Sequence, residues 1–84
     1  MTSRWQFVLN ESSVDFLLAC RSVERRKLLQ VLDQLADDPY YAGDFEAFDS
    51  VGRTIQIKRV GNFLVTYWAD TGPKELRVIN IEKV

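Results

Sequence analysis

Residues 53–84, RTIQIKRVGNFLVTYWADTGPKELRVINIEKV, decide the fold. Three runs, 53–59, 63–69 and 75–81, are rich in β-branched and aromatic residues. Gly61-Asn62 and Thr71-Gly72-Pro73 punctuate them. Strand formers separated by turn formers at this spacing predict three antiparallel strands in a meander. The register of the first hairpin sets its faces. A two-residue Gly61-Asn62 loop would pair Val60 with Phe63 and place Lys58 beside Val65 on the core face. A three-residue loop would pair Arg59 with Phe63, Ile57 with Val65 and Ile55 with Tyr67. The second gathers Ile55, Ile57, Phe63, Val65 and Tyr67 on one face and is preferred, because a one-residue slip would bury charge and expose the apolar set. The other face then carries Thr54, Gln56, Lys58, Leu64, Thr66 and Trp68. It stays open if helices cover the first.

Upstream, residues 4–9 read as a strand, with Trp5, Phe7 and Leu9 alternating with Gln6 and Val8. Ser12 followed by Asp15 makes a capping box for a short helix running to about Cys20. Ser22 caps a second helix, with Leu28, Leu32 and Leu35 at i, i+4, i+7 and Leu29, Val31 and Ala36 widening the stripe. Asp37-Asp38-Pro39 stops it, since a residue before proline avoids the helical region. The short joint at Arg21-Ser22 makes the pair a helical hairpin. Residues 40–52 read as a loop lying over the core edge on Tyr40, Tyr41, Phe45 and Phe48. The expected order is β-α-α-β-β-β: an α+β domain over residues 1–84, with a helical hairpin packed on one face of a mostly antiparallel sheet.

Eighty-four residues with 46% apolar and 27% charged content exclude disorder by composition. The single Cys20 provides no internal disulfide framework and fits a reducing compartment. Without histidine, the commonest general base and metal ligand is missing. Asp33, Asp37 and Asp38 lack calcium-loop spacing, so no metal and no cofactor is expected. No apolar run reaches a membrane span, and residues 1–10 carry no signal-peptide core; a cytoplasmic protein without membrane attachment is expected. Net charge is −1, unevenly spread. Residues 1–52 hold five bases and nine acids, whereas residues 53–84 hold six bases and three acids. A surface built by the C-terminal part could attract an anion locally. Trp68 reads either as core capped by the 40–48 segment or as an anchor for a partner.

Together with the element order, four stretches carry a resemblance. They are Leu35-Ala36-Asp37-Asp38-Pro39, Gly43-Asp44, Arg59-Val60-Gly61-Asn62-Phe63-Leu64-Val65-Thr66-Tyr67 and Val78-Ile79-Asn80-Ile81. The chain resembles the RelE/ParE toxin superfamily of bacterial type II toxin–antitoxin systems over nearly its whole length. The resemblance implies a cognate antitoxin protein as partner. In the ribosome-dependent members it implies mRNA cleavage by 2′-hydroxyl attack, helped by bases on the open sheet face and a Tyr or His near the C-terminus. Here the two second-strand bases fall on Gln56 and Lys58, so one is kept. The Arg following the Gly-x-aromatic motif falls on Leu64 and is lost. The bases after the last strand fall on Lys83 and Val84, and the tail is expected to be missing.

A divergent branch follows from the resemblance: a toxin-like component without standard cleavage chemistry, whose target would be DNA gyrase, as in the ParE branch. The alternatives are a ribosome-dependent mRNA endoribonuclease using Lys58, Arg59 and Lys83 with Arg53 and Arg77, or a non-toxic binding module. Leu64, Thr66, Trp68, Arg53 and Arg77 are the expected partner-binding residues. No oligomeric state is implied.

Overall fold

The computed structural model describes residues 5–40 and 43–84. The start of the first expected strand at Arg4, and Tyr41 of the expected loop, lie outside the described residues. The elements run β1 (Gln6–Leu9), α1 (Glu11–Ala19), α2 (Ser22–Asp37), β2 (Phe45–Phe48), β3 (Thr54–Val60), β4 (Phe63–Asp70) and β5 (Glu75–Lys83). The five strands form one sheet in the order β1-β5-β4-β3-β2. β1 pairs with β5 in parallel and every other neighbour is antiparallel. Both helices lie on one side, packed over β1 and β5. The core closes between them: Leu17, Leu28, Leu32 and Leu35 from the helices meet Val60, Phe63, Val65, Tyr67, Leu76, Val78 and Ile81 from the sheet.

The α2 leucine stripe faces inward as its spacing predicts. The helix starts differ from expectation. Asn10, not Ser12, caps α1: its Oδ1 accepts the Ser13 N–H at 3.0 Å. Asn10 Nδ2 also donates to the Ile79 carbonyl at 2.8 Å. One side chain thus satisfies an orphan helix donor and ties the helix start to β5. A serine at position 12 has no amide with which to make the second bond. Ser22 is the first residue of α2 rather than its cap, and Arg21 takes the cap position without a side-chain bond. Arg25 secures the joint instead. Its Nε donates to Leu17 O at 2.8 Å and Nη2 to Cys20 O at 2.9 Å, covering the last carbonyls of α1.

Residues 40–52 are not simply a loop, because they contain the edge strand β2. Its four residues, FEAF, are too few to show a periodicity, and its pairing to β3 is supported from outside the strand. The Arg59 N–H donates to Asp44 Oδ2 at 2.7 Å. Gln56 Oε1 accepts the Gly43 N–H at 2.9 Å, and Gln56 Nε2 donates to Glu46 Oε2 at 2.9 Å. Gly43 permits this approach: a Cβ there would lie 2.6 Å from the Ile57 carbonyl oxygen. Backbone cannot yield as a side-chain tip can. Gly43→Ala should therefore cost about 1–3 kcal/mol, read as a fall in the urea midpoint. An unchanged midpoint would mean that β2 is not seated on β3.

The hairpin register is the two-residue alternative, not the preferred one. Val60 pairs with Phe63, Lys58 with Val65, Ile57 with Thr66 and Gln56 with Tyr67. Gly61 has φ 59° and Asn62 is not in the left-handed region, the φ pattern of a type II′ turn with glycine first. The feared burial of charge does not follow. The helices lie over β1 and β5, so Lys58 sits half-buried at the rim beside α2, in a cleft of about 340 Å³ with Val31, Leu35 and Asp38. Its stem lies along apolar surface there. A second irregularity lies in β5, where the ladder shifts at Thr66/Tyr67. The extra residue, Ile79, lets Val78 and Ile81 both enter the core despite their odd spacing.

Candidate functional site on the open sheet face

Cross-strand partners share a face of a sheet. Val65 and Tyr67 are fully buried under the helices, so Lys58 and Gln56, their partners, belong to the helix side. The open face is built by the alternate set. One row runs Phe45–Ile57–Thr66–Asn80 and another Arg59–Leu64–Glu82, while Ala47 pairs with Ile55 and Trp68 with Arg77. The expected partner-binding residues Leu64, Thr66, Trp68, Arg53 and Arg77 therefore come together on one surface. Ile55, Ile57 and Phe45 join them in place of the expected Thr54, Gln56 and Lys58. Ile55 and Ile57 were missed through the register, for which the Gly61-Asn62 turn chemistry was the signal, and Phe45 because β2 was read as loop. Phe45 is 56% exposed, and Ile55, Ile57, Leu64 and Trp68 are half-buried. The middle of the face is apolar.

Trp68 is half-buried, and Pro39 and Tyr40 line a cleft with it. The Arg53 guanidinium stacks on its ring, 3.9 Å from the centroid. Asp49 sets that stack. Its Oδ1 accepts the N–H groups of Val51 at 3.1 Å and Arg53 at 2.8 Å, and its Oδ2 meets Arg53 Nη2 at 2.7 Å. Partial loss of water opposes ionisation of this carboxyl, but the two backbone donors and the guanidinium outweigh it and hold its pKa below the ordinary 3.8. With a depressed folded pKa, the stability it contributes is present above that ordinary value and lost as pH falls through the folded one. An NMR titration should place the Asp49 midpoint below 3.8. Arg53→Gln should move it upward. A midpoint at the ordinary value would contradict the stack.

Arg77 is likewise engaged: Nε meets Asp70 Oδ2 at 3.0 Å and Nη2 meets Glu75 Oε1 at 2.8 Å. Of the three open-face arginines, Arg53 and Arg77 are thus neutralised by carboxylates. A phosphate arriving there would have to displace them. The three expected catalytic bases are not brought together. Arg59 lies on the open face but turns its Nε to Gly61 O at 3.1 Å. Lys58 stands beside α2. Lys83 pairs with Phe63 on the helix side, within electrostatic reach of Cys20. Burial, then Glu24, raise the Cys20 thiol pKa, the reverse of what a nucleophile needs. Among the described residues no group of three His, Cys, Asp or Glu side chains could hold a metal ion, and no helix is long and apolar enough to cross a membrane.

No family model and no curated protein matches the chain. Solved structures do. The crystal structure of the archaeal RelE–RelB complex from Pyrococcus horikoshii OT3 superposes with a TM-score of 0.77 at 14% identity, covering 96% of each chain. The toxin–antitoxin complex RelBE2 from Mycobacterium tuberculosis superposes with a TM-score of 0.80 at 10% identity, covering 98% of this chain and 100% of that one. At such low identity the shared property is the path of the backbone, and it is shared end to end: two helices on one face of a five-stranded, mostly antiparallel α+β sheet are the RelE-like toxin fold.

Proposed function

We propose that this chain is a toxin-like component of a type II toxin–antitoxin pair, neutralised by a cognate antitoxin, and that it does not run standard mRNA-cleavage chemistry. The observation that carries the proposal is the composition of the open face. Its middle is apolar, and two of its three guanidiniums, those of Arg53 and Arg77, are already paired with Asp49, Asp70 and Glu75. Such a face is matched to a protein, with Trp68 and Leu64 as anchors. Phosphoryl transfer asks for the opposite: several unpaired donors aimed at the one place where charge develops. Lys58, Arg59 and Lys83 do not converge on such a place. The fold shared with two toxin–antitoxin complexes supports the antitoxin as the partner.

The test is induction of the chain alone in a bacterial host, with and without the product of a neighbouring gene. Growth arrest relieved by that product is the expected result. Soluble, folded chain that leaves growth untouched would overturn the toxin part and leave a binding module. Pulse labelling of new DNA and new protein then identifies the target. An early fall in DNA synthesis fits gyrase, and an early fall in protein synthesis directs attention to the ribosome.

A further inference from the structure

β2 ends the sheet order, so among the described residues its outer side carries no strand. The ladder fixes which backbone groups face that side. The Asp49 N–H donates to Arg53 O at 3.0 Å, which makes Asp49–Arg53 a hydrogen-bonded pair. Such pairs alternate with non-bonded ones along an antiparallel ladder. Ala47–Ile55 and Phe45–Ile57 therefore bond inward, and the N–H and C=O of Glu46 and Phe48 point outward. Edge strands are commonly guarded by charge held at the edge. Here the carboxylates of the segment are turned inward. Asp44 accepts the Arg59 N–H at 2.7 Å, Glu46 accepts from Gln56 Nε2 at 2.9 Å, and Asp49 holds Arg53. What remains along the edge is apolar: Phe45 is 56%, Phe48 69% and Val51 78% exposed. The other edge strand, β1, is bordered by charge, since Arg26 and Asp33 of α2 line the cleft beside Phe7.

We propose that β2 pairs with β2 of a second copy of this chain, antiparallel about a two-fold axis at Ala47. The outward groups set the register. Glu46 meets the partner's Phe48, Phe48 meets the partner's Glu46, and Ala47 meets the partner's Ala47. Glu46 and Phe48 each offer one donor and one acceptor, so the register closes four hydrogen bonds. An axis at Glu46 would set like charges opposite each other, and an axis at Phe48 would run Glu46 against Ser50, beyond the strand. Ala47 is small enough for a non-hydrogen-bonded pair, whose Cα atoms stand about 4.5 Å apart. On the helix side the two Phe48 residues lie diagonally across the axis, at about 7–8 Å, within reach of aromatic side chains. The two Glu46 residues are diagonal as well, each carboxylate kept on its own Gln56. A second copy is the occupant because backbone, apolar side chains and the small residue on the axis are all self-complementary, as a two-fold interface requires. The axis is normal to the sheet, so both open faces stay on one side and both helical hairpins on the other. A four-residue strand makes a small interface, so the pair exchanges with monomer on dilution. The inference concerns the sheet edge and does not rest on the toxin reading.

The experiment is sedimentation velocity of the full chain from about 10 to 500 µM, with oxidative cross-linking beside it. The expected result is a reversible monomer–dimer equilibrium. Ala47→Lys sets like charges against each other on the axis, and Phe48→Pro removes an outward N–H while leaving the inward ladder intact. Each should weaken dimerisation at least about tenfold, with the circular dichroism spectrum retained. In a Cys20→Ser background, Ala47→Cys should give a disulfide-linked dimer at least about tenfold faster than Val51→Cys, because only the first brings its Cα atoms within the roughly 4.4–6.8 Å that a disulfide spans. This arm is independent of whether the first two variants fold. Monomer at every concentration, undiminished dimer in the folded variants, or cross-linking as fast through Val51→Cys as through Ala47→Cys would each overturn the inference.

Discussion

Leu32→Ala should lower the stability of the chain by about 2–5 kcal/mol, the usual cost of emptying a fully packed leucine site. Leu32 is wholly buried, midway along the α2 stripe, with Leu28 one turn before it and Leu35 one turn after. The residue is held by the sheet on one side and by its own helix on the other, so the cavity has little freedom to collapse. A domain of this size has about 5–15 kcal/mol in total, which leaves the variant near the limit of folding. Leu18→Ala, at a side chain 69% exposed, should change stability by less than about 0.5 kcal/mol. Urea unfolding followed by circular dichroism compares the two. Equal losses would contradict the placement of α2 over the sheet.

Trp68→Ala should weaken binding of the antitoxin that relieves growth arrest by about 2 kcal/mol or more, roughly thirtyfold in Kd. Two interactions go at once. The half-buried indole contributes apolar surface to the open face, and it is the platform that holds the Arg53 guanidinium in place. Arg53→Gln removes the second while keeping the first, so its smaller loss measures the share owed to the stack. Circular dichroism of both variants guards against unfolding. An unchanged affinity in folded Trp68→Ala would end the role of this face as the antitoxin surface.

The element types were legible where a period had room to show itself. The leucine stripe of α2 and the three C-terminal strands satisfy both pattern and turn chemistry. β2 was not legible, because four residues held by Gly43, Asp44 and Gln56 depend on partners distant in sequence. The hairpin register turned on weighing a buried lysine against a Gly-Asn turn. The turn prevailed, since the helices leave the β3 side of the sheet partly uncovered and Lys58 lies in that gap. The same slip decided the site. Leu64, Thr66 and Trp68 could be placed from β4 alone, whereas Ile55 and Ile57 required the register and Phe45 the pairing of β2. Ion pairing of Arg53 and Arg77 was beyond sequence pattern altogether. It depends on a loop carboxylate in one case and on a cross-strand pair in the other.

The central claim is that a RelE-like fold here serves protein binding without mRNA cleavage. Its most direct test is incubation of the purified chain with ribosomes stalled on a defined mRNA, followed by primer extension and analysis of the RNA ends. Intact message is the predicted result. Cleavage within the ribosomal A site, leaving the cyclic phosphate that 2′-hydroxyl attack produces and abolished by Lys58→Ala, would contradict it.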